Sequence, residues 1–141
     1  MVGGFGTRSS GIGSGIALAA LCVAALSGCG GSQDETVRDL ARHFHDALAA
    51  GEGAAACDVL TPATREELEA STGKDCRQAV LEEQLPAVTG NGEVSVFGTM
   101  AQVDYAADTL FLARMPDGWT ILAAGCAPRA TGPYDCTLKG A

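Results

Sequence analysis

The spacing of apolar residues changes twice along the chain and divides it into three segments. Residues 16–26 form an unbroken apolar run. From residue 32 to about residue 90, apolar residues recur at intervals of three and four, which is the period of an amphipathic helix. Beyond Gly92, apolar and polar residues alternate, which is the period of a strand with one buried face. The pattern therefore predicts a short apolar leader, then helices, then strands.

The helical segment predicts four helices. The first covers residues 32–51, with Ser32 as its cap and Gly51 as its stop. Its apolar stripe consists of Val37, Leu40, Ala41, Phe44, Ala47 and Leu48. Three shorter helices are expected at about residues 53–60, 61–70 and 74–85. The second of these opens with Thr61 as cap and Pro62 as the first helical residue.

The alternating segment predicts four to five short strands. They are expected at about residues 94–96, 101–105, 109–115 and 119–125, with a short edge strand at 134–138. Pro116-Asp117-Gly118 marks a turn between the third and fourth strands. Helices first and antiparallel strands after them indicate an α+β domain, with the N-terminal helices packed on one face of the sheet.

The apolar leader has the length of a signal peptide rather than of a membrane span. As a helix, its eleven residues at 16–26 would cover about 16 Å, roughly half of a bilayer's hydrocarbon core of about 30 Å. A transmembrane anchor is the alternative, and the stretch falls short of one even when it is counted from Gly11. We therefore expect residues 1–28 to be a signal peptide.

The run ends in Leu26-Ser27-Gly28-Cys29, an apolar residue and two small residues before a cysteine. These four residues resemble the bacterial lipobox. The resemblance implies cleavage before Cys29, a lipid (diacylglycerol, then palmitate) on Cys29, and an anchored position on the extracytoplasmic face of the cell membrane. Ordinary signal cleavage, with Cys29 left as a free thiol, is the alternative. Residues 29–33 are then expected to be a flexible lipidated tether, and residues 34–141 a single domain.

Charge excludes two classes of partner. Removal of residues 1–28 takes away Arg8 and leaves 113 residues with 17 acidic and 8 basic side chains, a formal charge of −9. This chain has no basic stripe, which argues against nucleic acid as a partner and against electrostatic docking on anionic lipid. A chain of this length supports one modest core.

The cysteines indicate an oxidising compartment. Of the six, Cys22 lies in the leader and Cys29 is the expected lipid site, which leaves Cys57, Cys76, Cys126 and Cys136. Four cysteines permit three pairings, and we favour Cys57–Cys76 and Cys126–Cys136 because each joins near neighbours in the chain. A metal site or redox pair is the alternative, but the chain has no Cys-x-x-Cys and no histidine near a cysteine. We therefore expect neither a metal nor a cofactor.

Two histidines lie on the first predicted helix. His43 and His45 are two residues apart and point about 200° from each other, so they cannot bind one metal ion together. Both flank the apolar stripe. We expect them on a solvated helix surface, and a role in a pocket is the alternative.

No catalytic residue is assigned from the other polar side chains. Asp104 and Tyr105 are adjacent on a predicted strand and therefore face opposite sides, with Tyr105 expected in the core and Asp104 in solvent. Trp119 is expected to pack against the helices. Turn positions with local backbone bonding are expected for Asp108, Asp117 and Asp135, and solvated helix faces for Glu66, Glu67, Glu69, Glu82 and Glu83.

The order of elements also resembles a known family. The residues that carry the likeness are Phe44, Leu48, Ala56-Cys57, Leu60, Pro62, Asp75-Cys76, Gly118-Trp119-Thr120-Ile121, Ala124-Gly125-Cys126 and Pro133-Tyr134-Asp135-Cys136. Their order resembles that in small actinobacterial lipoproteins of the NTF2-like (cystatin-like) superfamily. The resemblance implies a curved antiparallel sheet wrapped around helices, with an apolar pocket. Some members are steroid isomerases or dehydratases, and many others only bind or scaffold.

Together these features lead us to expect a membrane-tethered, non-enzymatic domain that binds a small apolar ligand or an envelope protein. A small isomerase- or dehydratase-type enzyme is one alternative, and a structural module with a filled core is another. An enzyme requires titratable groups that converge in the concavity of the sheet. A ligand binder requires an apolar cavity of a few hundred cubic ångströms.

Overall fold

A computed structural model describes residues 29–140, with side chains described from Gly31 onward. The elements are α1 (Cys29–Ala50), α2 (Gly53–Asp58), α3 (Pro62–Thr72), α4 (Cys76–Glu82), β1 (Glu93–Phe97), β2 (Met100–Asp104), β3 (Thr109–Met115), β4 (Gly118–Ala127) and β5 (Asp135–Lys139). The expected signal peptide at residues 1–28, with Cys22, lies outside the described residues.

The five strands form one antiparallel sheet in the order β1-β2-β3-β4-β5. Each strand pairs with the next one along the chain, and the sheet is open, with β1 and β5 at its edges. The helical layer packs on one face, where α1 contacts β1, β2 and β4, and α3 contacts β4 and β5. The predicted α+β class and the order of helices before strands are therefore confirmed.

The apolar stripe of α1 forms the centre of the core. Val37, Ala41 and Phe44 are fully buried, and they belong to one cluster with Leu112 and Ile121 of the sheet. Burial of a side chain the size of Phe44 contributes about 1.5–3 kcal/mol. The core is filled largely by such apolar side chains from both layers.

The helix α1 begins earlier than expected. It starts at Cys29 rather than at Ser32, so residues 29–33, which we expected to be a flexible tether, are helical. Lengthening an existing helix adds one backbone hydrogen bond per residue, whereas starting a helix is costly. The start of the helix is also held from the side one turn further on, since Gln33 Oε1 accepts a hydrogen bond from Arg114 Nη1 at 3.3 Å.

The start of α3 ties the helical layer to the sheet. Thr61 Oγ1 accepts from the backbone N–H of Thr64 at 3.1 Å, and Pro62 follows as the first helical residue, as expected. The backbone N–H of Thr61 donates to the Ile121 carbonyl at 2.9 Å. The Thr64 hydroxyl donates to the Leu122 carbonyl at 2.7 Å. The chain is thereby fixed to β4 at the point where α3 begins.

Two disulfides link neighbouring elements, one within the helical layer and one within the sheet, in the pairing that we favoured. Cys57 of α2 pairs with Cys76 of α4, with 6.2 Å between their Cα atoms. Cys126 and Cys136 lie directly opposite each other on β4 and β5, with 3.9 Å between their Cα atoms. Each bridge contributes roughly 3 kcal/mol in the chain-entropy picture. Gly53 lets α2 approach α4 closely, because a Cβ atom there would collide with the Arg77 carbonyl.

Candidate functional site

One of the two histidines is buried, which corrects our expectation of a solvated surface for both. His43 is exposed as expected, but only 7% of His45 is accessible. The rotation of about 200° that separates the two residues turns His45 toward the sheet. There its ring lies edge-on between Phe44 and Tyr105, with 5.5 Å between centroids on each side.

Asp108 is buried as well, and its role differs from the local turn bond that we expected. Its side chain is fully inaccessible, and Oδ1 accepts from the backbone N–H of Cys126 on β4 at 3.0 Å. Its other oxygen, Oδ2, lies 3.2 Å from His45 Nε2. Asp117, by contrast, is exposed at its turn, whereas Asp135 is exposed as the first residue of β5 rather than in the turn that we expected. Asp108 thus joins the β2–β3 turn to α1 on one side and to β4 on the other.

His45, Tyr105 and Asp108 form a buried polar cluster between α1 and the β2–β3 turn. Three of its atoms, namely His45 Nε2, Tyr105 Oη and Asp108 Oδ2, are buried without a hydrogen-bond partner among the described residues. The 3.2 Å approach of His45 to Asp108 has the distance of an ion pair but not the alignment of a hydrogen bond. Unpartnered buried polar atoms are costly and are unusual outside functional sites and sites of bound water.

The surroundings of the half-buried Tyr105 shift the pKa of its phenol. Burial raises the pKa of Tyr105 above its ordinary value, and the nearby carboxylates of Asp46 and Asp108 act in the same direction. The guanidinium groups of Arg42 and Arg38 oppose this rise in pKa. The phenol therefore stays protonated to a higher pH than a tyrosine in water.

A small pocket opens beside the cluster. It lies between α1, α4 and the segment after α4, and its volume is about 160 Å³. Its lining consists of His45, Leu48, Ala49, Val80, Leu81, Gln84, Leu85, Pro86 and Ala87. Most of the pocket wall is therefore apolar, and the imidazole of His45 forms part of it. The pocket is smaller than the roughly 300–1,000 Å³ of typical small-molecule sites.

The rim of this pocket contains an unusual backbone conformation. Gln84 has a φ of +50° and is the only non-glycine residue with positive φ among residues 29–140. It follows the end of α4, at the position where left-handed backbone normally selects glycine. The reversal at Gln84 leads into Leu85 and Pro86, which form part of the pocket wall.

Asp104 does not take part in the cluster, since it lies on the opposite face of the sheet from Tyr105, as expected. It is half-buried rather than fully in solvent. Its carboxylate accepts from Gln102 Nε2 at 2.8 and 2.9 Å and from Thr109 Oγ1 at 2.8 Å. These neighbours lie on the outer face of the sheet, which is the face that points away from the helices. They hold Asp104 in a structural role. Trp119 is half-buried and packs against the core.

Other classes of site find no support in the described part of the chain. No group of three potential metal ligands occurs among residues whose side chains the structure describes. Within residues 29–140, no helix is long and apolar enough to cross a bilayer. The chain matched no protein-family model, no curated protein and no solved structure when it was compared with each.

Proposed function

We propose that the chain is the precursor of a lipoprotein whose mature domain is anchored through Cys29 on the extracytoplasmic face of the cell membrane. The observation that carries this proposal is the lipobox-like Leu26-Ser27-Gly28-Cys29 directly after an apolar run of signal-peptide length. Cys29 is also the first residue of α1, so the lipid would be attached at the very start of the folded domain.

The cysteine pairs support an exported location. Cys57–Cys76 and Cys126–Cys136 account for the four cysteines of the described domain that follow Cys29. Disulfides persist in oxidising compartments and are rare in the cytosol. Two disulfides in the domain therefore support its location outside the cytosol.

We propose further that this domain binds or scaffolds rather than catalyses. The side chain of Asp108 is fully inaccessible and that of His45 is 6% exposed, so a substrate would not reach the pair without an opening of the structure. The filled core and the modest volume of the pocket beside His45 favour an envelope protein, or a very small apolar molecule, as the partner.

The NTF2-like assignment belongs to this proposal. An N-terminal helical layer on one face of a five-stranded antiparallel sheet supports it, as does the order of elements. The open sheet with a filled core is consistent with a member of the superfamily that scaffolds rather than encloses a large ligand.

Fractionation of cells that express the full chain tests the anchor. We expect the natural chain in the membrane fraction and Cys29→Ala in the soluble extracytoplasmic fraction. Cys22→Ala is the matched control, because it removes a cysteine of the expected leader and should leave the protein in the membrane. The anchor is disproved if Cys29→Ala remains with the membrane to the same extent as the natural chain.

The convergence of His45, Tyr105 and Asp108 favours a second candidate function, an isomerase-type enzyme. An imidazole backed by a buried carboxylate is suited to move a proton, and a neutral phenol is suited to donate a hydrogen bond to a developing oxyanion. A pocket of about 160 Å³ accommodates a molecule about the size of benzene, and His45 is the one member of the cluster that lines it, so Tyr105 and Asp108 would meet a substrate only if the structure opened.

Proton exchange tests this second function without knowledge of the substrate. The full chain is incubated in D₂O with small cyclic ketones, and loss of the α-proton signals is followed by NMR. Enzymatic proton transfer predicts faster exchange with the natural chain and with His43→Gln than with His45→Gln. Equal exchange in all three samples would remove the enzyme from consideration.

A further inference from the structure

Three of the large apolar side chains that remain exposed lie at the tips of two hairpins. Phe97 is 66% accessible, Met100 is 38% and Met115 is 39%. Phe97 pairs with Met100 across the β1–β2 hairpin, and Met115 is the last residue of β3 before the turn into β4. Adjacent exposed apolar side chains of this kind are candidates for a contact surface.

The three side chains share the outer face of the sheet. Met100 pairs with Ala113, which lies two residues before Met115 and therefore faces the same side. Ala101 and Leu112, their neighbours in sequence, are fully buried or nearly so and face the helices. We refer to Phe97, Met100 and Met115 as the tip patch.

The tip patch lies at the end of the molecule where α1 begins. Arg114 precedes Met115, and its side chain donates to Gln33 Oε1 at 3.3 Å, while its backbone N–H donates to the Thr99 carbonyl at 2.8 Å. Arg114 thus connects both hairpin tips to the N-terminal part of α1. Cys29 precedes Gln33 by about one helical turn, a rise of about 6 Å.

An amphipathic aromatic residue lies at the same end. Trp119 pairs with Arg114 across the β3–β4 hairpin, and the guanidinium carbon lies 6.0 Å from the ring centroid. Tryptophan and arginine side chains, with apolar bodies and polar tips, are favoured at membrane–water interfaces. This end of the domain therefore combines exposed apolar side chains on the outer face with the Arg114–Trp119 pair on the face that carries the helices.

We propose that the tip patch contacts the lipid bilayer and fixes the orientation of the domain on the membrane. This inference rests on the proposed lipidation of Cys29, which would hold the bilayer close to the patch. Attachment at that point gives a high local concentration of lipid, so that a weak apolar contact is sufficient. The contact is apolar rather than electrostatic, because the mature chain carries a formal charge of −9.

The depth of insertion is limited. Asp117 is exposed in the turn between β3 and β4, next to the tip patch, and a carboxylate is costly in the hydrocarbon region. Phe97, Met100 and Met115 therefore reach the boundary between headgroups and acyl chains, while Asp117 stays in water.

A single tryptophan at the tip patch tests the orientation. In full chains purified from membranes, Trp119→Phe is combined with Phe97→Trp, or with Leu81→Trp as the matched control. Leu81 is 39% exposed, like Met115, but it lies on α4 beside His45. Each protein is placed in phosphatidylcholine vesicles with or without bromine in the upper acyl chains, and flotation verifies that it is attached. Bromine quenches only a tryptophan that touches the lipid.

We expect bromine to reduce the emission of the Phe97→Trp protein and not that of the Leu81→Trp protein. Floating protein with no quenching at position 97, or with equal quenching at both positions, overturns the orientation but leaves the anchor intact. Protein that does not float overturns the anchor, and the orientation with it. If the patch instead mediates self-association, the Phe97→Trp protein would be oligomeric and unquenched. That result also overturns the proposed orientation.

Amide hydrogen exchange on the natural sequence provides a second measurement that needs no tryptophan replacement. Residues 97–100 and Met115 should exchange more slowly in the vesicle-bound natural chain than in the soluble Cys29→Ala protein. Residues 81–85 serve as the internal control and should exchange alike in both. Unchanged exchange at the two hairpin tips contradicts the orientation.

Discussion

His45 Nε2 lies 3.2 Å from Asp108 Oδ2, and both side chains are buried where α1 meets the β2–β3 turn. This contact joins the first helix to the sheet. Asp108 also receives the backbone N–H of Cys126, so one carboxylate connects α1 with β4. The stability of the domain should therefore depend on this pair more than on any exposed ion pair.

Replacement of Asp108 should destabilise the domain. In Asp108→Ala the buried N–H of Cys126 loses its acceptor, and we expect a loss of about 1–3 kcal/mol in the free energy of unfolding. Urea unfolding with the disulfides intact measures this loss. Asp117→Ala, at an exposed turn, is the control and should change the value by less than about 0.5 kcal/mol. Similar losses in the two variants would contradict the proposed role of Asp108.

The coupling between His45 and Asp108 is measurable by a double-mutant cycle. The single variants His45→Ala and Asp108→Ala and the double variant should yield an interaction energy of about 0.5–3 kcal/mol, because the two side chains are in direct contact. A parallel cycle with His43→Ala, on the exposed side of α1, should yield a value near zero. Additive losses in both cycles would show that the contact contributes nothing to stability.

The raised pKa of Tyr105 predicts a loss of stability in alkali. Because the folded pKa lies above the unfolded one, the contribution is fully present below the unfolded value of about 10 and is lost as pH rises through the folded value. In Tyr134→Phe, Tyr105 is the only tyrosine, so its ultraviolet titration can be read alone. The midpoint should be higher in the folded protein than in urea, and identical midpoints would exclude burial of the phenol.

The left-handed conformation of Gln84 predicts a stabilising substitution. Gln84→Gly should raise the free energy of unfolding by about 0.5–1 kcal/mol, because glycine adopts a φ of +50° without the Cβ clash of other residues. Gln84→Ala keeps that clash and serves as the control, with no gain expected. Thermal unfolding followed by circular dichroism distinguishes the two. A Gln84→Gly protein that is less stable than Gln84→Ala would indicate that the glutamine side chain supports the pocket rim.

The main features of the fold follow from local patterns, whereas the polar cluster does not. The stripe through Phe44 and the alternation through Val103 predict buried faces, because each depends on a repeat within one element. The burial of His45 depends on which neighbour covers the flank of the stripe, and that neighbour is a turn far along the chain. In the sequence, Asp108 cannot be distinguished from any other aspartate in a turn. Its partner on β4 lies 18 residues further along the chain and is brought close only by the pairing of β3 with β4.

Two further differences have local causes. Helix α1 extends over residues 29–33 because a formed helix elongates at little cost, and glycine-rich sequence alone does not reveal this. The reversal at Gln84 was not expected, because left-handed positions are normally marked by glycine. The sequence signal for this turn was Pro86, which indicates only that α4 must end before it.

Intact-mass analysis of the protein extracted from membranes tests the central proposal most directly. With free thiols alkylated before and after reduction, the proposed lipoprotein predicts a chain that begins at Cys29 and carries a diacylglycerol-type mass increment. Alkylation should add nothing before reduction and four groups after it, as expected for two disulfides. A full-length, unmodified chain whose six cysteines are all alkylated without reduction would contradict both the anchor and the exported location.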